Sequence, residues 1–265
     1  KWRKGKTQTA INELQEIIKL SEDDNIKAQC HLSLADIVFD LDRDENFLFH
    51  LEEGAKIIKD RAEKGIVYNK LADIAFNNEN YAVAEGAYKE VIKNSLTKEK
   101  IENAHIQLLK ISRILGDHRS AERKIKSMLV DEKFKNIKGE LELELVQLYL
   151  AQKDTDNAMV RLESIIKDYQ KTKTSSEAYY LMGQINLSGI WNPEIAKEKF
   201  SQVKKEYNRS EYGPIAESKI KAIDTYNESL NSLKIYNSIK SDTLLADTTS
   251  SDSINNKADK ISKTY

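Results

Sequence analysis

Residues 66–92, IVYNKLADIAFNNENYAVAEGAYKEVI, predict a hairpin of two helices. The first helix covers residues 66–76, residues 77–80 form a turn, and the second helix covers residues 81–92. Ala84, Tyr88 and Val91 recur at i, i+4 and i+7, so they share one face of the second helix. Because a single hairpin cannot bury this apolar face, we expect neighbouring hairpins to stack on it.

The same pattern recurs along the chain with a period of 37 residues. Equivalent second-helix positions are Ala10, Phe47, Ala84, Ala121, Ala158 and Ala196, and only the last step is 38 residues. Equivalent first-helix anchors are Leu34, Leu71, Leu108, Leu145 and Met182, followed by Ala35, Ala72, Leu109, Val146 and Gly183. A sustained period between about 20 and 50 residues is typical of a solenoid.

One segment contradicts this period locally. Residues 141–145, LELEL, alternate apolar and polar residues as a β-strand does. The register nevertheless places them in the first helix of a unit, and both leucine and glutamate favour helices. We therefore predict a helix here.

Several motifs resemble those of the tetratricopeptide repeat family over about residues 1–205. They are Leu71-Ala72 with Tyr81 and Ala84-x3-Tyr88, Leu115-Gly116-Asp117 before Ala121, Tyr149 with Ala158, and Met182-Gly183 with Ala196-x3-Phe200. The resemblance implies an all-α fold, a right-handed superhelical α-solenoid of helix-turn-helix repeats with a C-terminal capping helix. The family's period is 34 residues. We expect the surplus in the second helix of each unit or in the loop after it.

The predicted organisation is one repeat solenoid with a tail. The solenoid covers residues 1–212, with the second helix of a partial repeat at 1–20 followed by five units of about 37 residues. A capping helix at 213–239 and a disordered polar tail at 240–265 follow. Because the chain opens in the middle of a unit, we expect further repeats upstream.

Composition argues against several classes of partner. The net charge is −1, which gives no electrostatic footprint for nucleic acid or anionic lipid. No apolar run approaches the ~20 residues that span a bilayer. The single Cys30 excludes an internal disulfide framework. The remaining expectation is a protein or peptide partner.

No catalytic, cofactor or metal site can be assembled from the sequence. Lys4-Gly5-Lys6-Thr7 ends like a phosphate-binding loop but lacks the earlier glycine and the preceding strand. His31 and His105 lie two periods apart, and His50 with Glu53 lacks a third ligand. We therefore predict a protein that is not an enzyme and that needs no cofactor.

The resemblance also implies where a partner would bind. In this family the first helices line a concave face, and amides with aromatic rings on such a face suit an extended peptide. The predicted peptide-binding residues are Phe39, Asn69, Asp73, Phe76, Asn103, Lys110, Arg113, Gln147, Tyr180 and Gln184. Lys110 and Arg113 could hold a carboxylate of the ligand.

The last third carries a narrower resemblance to bacterial envelope repeat proteins. Residues 165–169, 178–183 and 200–212 are similar to the outer-membrane barrel-assembly lipoprotein and to the periplasmic cell-division coordinator that partners the Tol system. Asn208 departs from the usual proline. This resemblance implies a scaffold in the bacterial cell envelope, in the periplasm or associated with the outer membrane, acting in assembly or division. The alternatives are a cytoplasmic regulatory module of a larger protein, a structural spacer, and an enzyme with a perturbed titratable cluster in a closed pocket.

Overall fold

The computed structural model describes the backbone of residues 5–41 and 44–261 and the side chains of residues 5–41 and 46–240. Residues 1–4 of the predicted partial repeat and residues 262–265 of the predicted tail lie outside the described residues. Two compact units divide the chain, Lys1–Arg161 and Leu162–Tyr265.

The described residues form α-helices and no β-strand. The helices are α1 (Thr7–Leu20), α2 (Asp24–Asp40), α3 (Asp44–Ile57), α4 (Arg61–Asn77), α5 (Tyr81–Asn94), α6 (Lys98–Ile114), α7 (His118–Val130), α8 (Lys138–Ala151), α9 (Thr155–Asp168), α10 (Lys173–Gln184), α11 (Pro193–Glu206) and α12 (Gly213–Ile261). A 3₁₀ helix at Glu132–Ile137 precedes α8, and a π-helical turn at Ile185–Gly189 follows α10. The all-α class is confirmed, and the segment at 141–145 is helical.

The predicted period is visible in the helix boundaries. The second helices α1, α3, α5, α7 and α9 begin at steps of 37 residues, and α11 begins 38 residues after α9. Pro193 opens α11, where its missing N–H needs no partner. The first helices α2, α4 and α6 also begin 37 residues apart. The arrangement in repeated helical hairpins is therefore confirmed.

Aspartate caps mark where the first helices α2 and α4 begin. The Asp60 side chain accepts a hydrogen bond from the Glu63 N–H at 2.7 Å. Asp23, one period earlier, accepts one from the Asn25 N–H at 2.8 Å. Such caps satisfy N–H groups that have no partner within the helix.

In the first three units the surplus residues lie in the first helix, because α2, α4 and α6 each have 17 residues, and the expectation that placed them in the second helix or the loop after it was wrong there. α4 has 17 residues and α5 has 14, and three-residue connectors at 78–80 and 95–97 follow them. With the same connectors, two helices of 14 residues would give the usual 34-residue repeat. The extra turn packs the beginning of α4 against the end of α5, and this contact stabilises the longer helix.

Small residues allow this close approach. A Cβ atom on Gly65 of α4 would lie 2.8 Å from the Ser95 Cα at the end of α5. Gly65 is seven residues before Ala72, so both lie on the same face of α4. The equivalent pairs in units one and five are Ala28 with Ala35 and Ser176 with Gly183.

In the unit Lys1–Arg161, each of α1 to α7 packs against the next helix along the chain. The anchors Leu34, Leu71 and Leu145 are fully buried, whereas Leu108 is half-buried. The largest cluster of this unit joins residues of α2 to α6, with Tyr88 and Phe47 among its largest buried side chains. Equivalent anchor positions therefore contribute to the core in each of these units except the third, where the anchor Leu108 is only half-buried.

In the unit Leu162–Tyr265, α11 packs against both α10 and α12. Phe200 fills the space beside Gly183, where a Cβ atom would lie 2.5 Å from the phenyl ring. Ala216 and Ile223 of α12 are buried. α12 continues to Ile261, past residue 239 where the sequence places the end of the capping helix. The division at 212 and 239 and the disordered tail at 240–265 stay predictions.

A pair of histidines lies between α2 and α3. The Nδ1 atoms of His31 and His50 are 3.2 Å apart, a distance at which one neutral ring donates a hydrogen bond to the other. Burial lowers the pKa of His31 despite the nearby Glu53 carboxylate. Burial and the His31 ring lower the pKa of His50, again against Glu53.

These two histidines should make the stability depend on pH. Because their pKa values in the folded chain lie below the ordinary 6.5, the unfolded chain binds protons first. Stability is therefore full above pH 6.5 and falls as the pH drops through the lowered values. We expect the melting temperature to decrease between pH 7 and pH 5, and to decrease less in the double variant His31→Gln/His50→Gln. Equal pH dependence of both proteins would contradict this histidine pair as its source.

Candidate functional site

Side chains connect the first helices of neighbouring units within Lys1–Arg161. Lys70 of α4 pairs with Asp36 of α2 at 3.3 Å between Nζ and Oδ1. The Arg113 Nε of α6 donates to the Glu144 Oε1 of α8 at 2.6 Å. These contacts place α2 beside α4 and α6 beside α8, as a surface built from first helices requires.

The predicted peptide-binding residues occupy a few equivalent positions of the first helix. One position holds Phe39, Phe76 and Arg113, a second holds Asp73, Lys110, Gln147 and Gln184, a third holds Asn69 and Tyr180, and a fourth holds Asn103. Successive positions are three or four residues apart and therefore share one helix face. We call this set the first-helix face.

Within Lys1–Arg161, part of the first-helix face is accessible. The Phe39 side chain is 58% exposed, and its ring centroid lies 5.2 Å from that of the buried Phe47. Asn103 is exposed, and Lys110 and Gln147 are half-buried. These four residues offer a ring, two amides and a cation to a partner.

Another part of the face holds the second unit of the repeat together. The Asp73 carboxylate accepts hydrogen bonds from the Tyr88 hydroxyl at 2.9 Å and from the Asn69 amide at 2.7 Å. Phe76 packs edge-on against Tyr81 with ring centroids 5.8 Å apart. Asn69, Asp73 and Phe76 therefore fix α5 against α4.

Arg113 has an internal carboxylate partner. Glu144 is only 5% exposed, and burial raises its pKa although Arg113 and Lys110 act in the opposite direction. A buried carboxylate needs such a partner to offset its lost hydration. A ligand carboxylate at Lys110 and Arg113 would therefore compete with Glu144. Sequence reasoning missed Glu144, although an acidic residue among the buried leucines of residues 141–145 was a signal.

Tyr180 and Gln184 belong to the unit Leu162–Tyr265. The Tyr180 ring stacks on the Tyr212 ring at 4.7 Å between centroids, and its hydroxyl accepts from the Gln184 amide at 2.6 Å. The Tyr212 hydroxyl in turn donates to Glu177 at 3.0 Å. Burial, followed by the Glu177 carboxylate, raises the pKa of Tyr212. Tyr180 of α10 is thus largely buried against Tyr212, which precedes α12.

Two kinds of feature are absent from the residues that the structure describes. No group of three or more histidine, cysteine, aspartate or glutamate side chains there has the geometry to hold a metal ion. None of the described helices has the length and the apolar character that crossing a bilayer requires.

The sequence model of a tetratricopeptide repeat matches residues 142–172, which cover most of α8, all of α9 and the residues before α10. This segment is similar to a tetratricopeptide repeat. The match supports the tetratricopeptide repeat family for the chain. Such repeats generally build non-catalytic scaffolds for protein–protein interaction.

Several solved structures resemble the chain at low identity. A tetratricopeptide repeat protein from Parabacteroides merdae is 16% identical, with a TM-score of 0.46, over 83% of this chain and 79% of that one. The apo form of RapI is 13% identical, with a TM-score of 0.45, over 87% and 95%. The pilF protein of Pseudomonas aeruginosa is 13% identical, with a TM-score of 0.42, over 82% and 99%. No curated protein sequence matches the chain significantly.

Proposed function

We propose that this chain is a non-catalytic scaffold that binds an extended peptide or protein segment on the first-helix face of Lys1–Arg161. The observation that carries the proposal is the accessibility of four side chains of the first-helix face. Phe39 presents an exposed ring on α2, Asn103 and Lys110 lie on α6, and Gln147 lies on α8. Amide side chains can pair with the backbone of an extended peptide, and an exposed ring can contact one of its apolar side chains.

The accessible residues differ from those that hold the repeat together, so binding can be tested without unfolding the chain. Phe39 and Asn103 are exposed, so replacing them by alanine removes mainly solvent-facing contact area, although the Phe39 ring also lies against Phe47. Leu96, in the connector after α5, is 68% exposed and offers a matched apolar truncation away from this face.

Peptides selected from a random phage-displayed library on the full chain provide the probe. We expect Phe39→Ala with Asn103→Ala to weaken the binding of a selected peptide by about tenfold, because contacts at two units are lost together. Leu96→Ala should leave the affinity unchanged. Fluorescence anisotropy measures each Kd, and circular dichroism checks the fold. A library that yields no peptide, or peptides insensitive to the double variant, would contradict the proposal.

For the cellular setting we propose the bacterial envelope, with a role in assembly or division. The support is the sequence resemblance of residues 165–212 alone, and a cytoplasmic regulatory role within a larger protein is the alternative. Fractionation of native cells beside periplasmic, outer-membrane and cytoplasmic marker proteins distinguishes the two. Recovery with the cytoplasmic marker would exclude the envelope.

A further inference from the structure

An apolar groove opens between α5 and α7 in the unit Lys1–Arg161. Its volume is about 510 Å³, within the usual range for ligand pockets. Side chains from α5, α6, α7 and the 3₁₀ helix line it: Ile92, His105, Leu108, Leu109, Ser120, Arg123, Lys124, Ser127, Met128 and Phe134. On α6, His105 and Leu108 lie on the side of the helix opposite Asn103 and Lys110.

The groove exists because the third unit lacks the small residues that bring two helices together. In units one, two and five, alanine, glycine or serine occupies both close-packing positions of the first helix. In α6 these positions hold Glu102 and Leu109, both buried. Accordingly, α6 contacts α7 much less extensively than α4 contacts α5. The wider separation leaves the anchor Leu108 only half-buried.

Positive charge surrounds this groove. Residues 118–137 contain six lysine or arginine residues and three acidic ones, a surplus of three cations in a chain of net charge −1. Arg123 and Lys124 lie at the rim and are exposed. No carboxylate among the described residues pairs with either of them, whereas Lys126 pairs with Glu122 at 2.7 Å. The rim therefore favours an anionic partner.

His105 closes one end of the apolar floor. Its ring packs edge-on against Phe134 with centroids 5.0 Å apart, and burial lowers its pKa. A neutral imidazole beside a phenyl ring keeps the floor apolar at neutral pH. The groove thus combines an apolar floor with a cationic rim.

We propose that this groove binds an acidic peptide segment of a protein partner, with large apolar side chains on the floor and carboxylates at Arg123 and Lys124. Apolar burial supplies the affinity, and the charges select and orient the peptide. This surface is separate from the first-helix face, so the chain can bind two segments at once.

A fluorescent synthetic peptide with a pair of leucines flanked on both sides by glutamates tests the proposal on the full chain. We expect it to bind, and its Kd to rise about tenfold in Arg123→Glu/Lys124→Glu. Ser127→Trp, a change at an exposed position that fills the groove, should abolish binding. Lys19→Glu/Lys100→Glu changes two exposed lysines and the same net charge, and it should bind only slightly more weakly than the wild type.

Three outcomes would overturn the proposal. One is equal binding of a peptide in which lysines replace the glutamates. Another is binding that survives Ser127→Trp, with circular dichroism confirming that every variant is folded. The third is self-association in analytical ultracentrifugation that Ser127→Trp removes, because a second copy would then occupy the groove. Phe39→Ala/Asn103→Ala should not affect this peptide, so the groove and the first-helix face can fail independently.

Discussion

Tyr88→Ala is expected to lower the free energy of unfolding by about 3–5 kcal/mol, the usual cost of removing a buried aromatic side chain. Tyr88 of α5 is only 2% exposed, and its side chain packs against α4. Its hydroxyl also donates to Asp73 at 2.9 Å, so the substitution removes both packing and a charged hydrogen bond. Urea unfolding at neutral pH measures the change.

Tyr88→Phe separates these two contributions. The ring remains, and the loss should fall to about 1.5 kcal/mol, typical of a hydrogen bond to a charged group. Asp73 keeps its hydrogen bond from Asn69 in this variant. Equal losses in Tyr88→Phe and Tyr88→Ala would mean that the ring does not lie in the core.

Gly65→Ala is expected to destabilise the chain by about 3 kcal/mol, the upper end for overpacking. The added Cβ atom would meet backbone atoms, the Ser95 Cα at 2.8 Å and the Ser95 N at 2.9 Å. Backbone atoms cannot rotate away as a flexible side chain can, so α4 and α5 must separate. The loss exceeds the roughly 1 kcal/mol that alanine contributes to a helix over glycine.

Gly86→Ala in the neighbouring helix α5 is the matched control. Gly86 is exposed, and a Cβ atom there would have no neighbour within 4 Å. The substitution should therefore raise the stability by about 0.4–1 kcal/mol through the unfolded state and helix propensity. Thermal melts of the two variants should shift in opposite directions. Shifts of the same sign would show that the beginning of α4 is not in contact with the end of α5.

The sequence predicted the hairpins because periodicity reports which residues face a neighbouring helix. The periodicity also predicted correctly that residues 141–145 are helical, although their local pattern is that of a strand. It placed the surplus turn in the wrong helix. The spacing between two anchor residues shows that extra residues lie between them, but it does not show which helix contains them. The small residue at Gly65 was the missing signal, since small residues recur there at the same period in four of five units.

The site was less predictable than the fold. The sequence could show that Asn69, Asp73 and Arg113 share a face with Phe39. It could not show that Asp73 accepts hydrogen bonds from Tyr88 and Asn69, or that Arg113 pairs with Glu144. Those contacts depend on how neighbouring helices are placed. Leu109 in place of a small residue was visible in the sequence, but its consequence, the groove beside α7, depends on Glu102 as well.

The measurement that tests this fold most directly is a nuclear Overhauser contact between the α protons of Gly65 and Ser95 in a protonated, ¹³C-labelled sample. The two residues are 30 positions apart in the sequence and meet only if α4 and α5 lie antiparallel along the full length of the extended first helix. A clear cross-peak is the predicted result. Its absence, with both resonances assigned and sharp, would contradict the 37-residue helical hairpin.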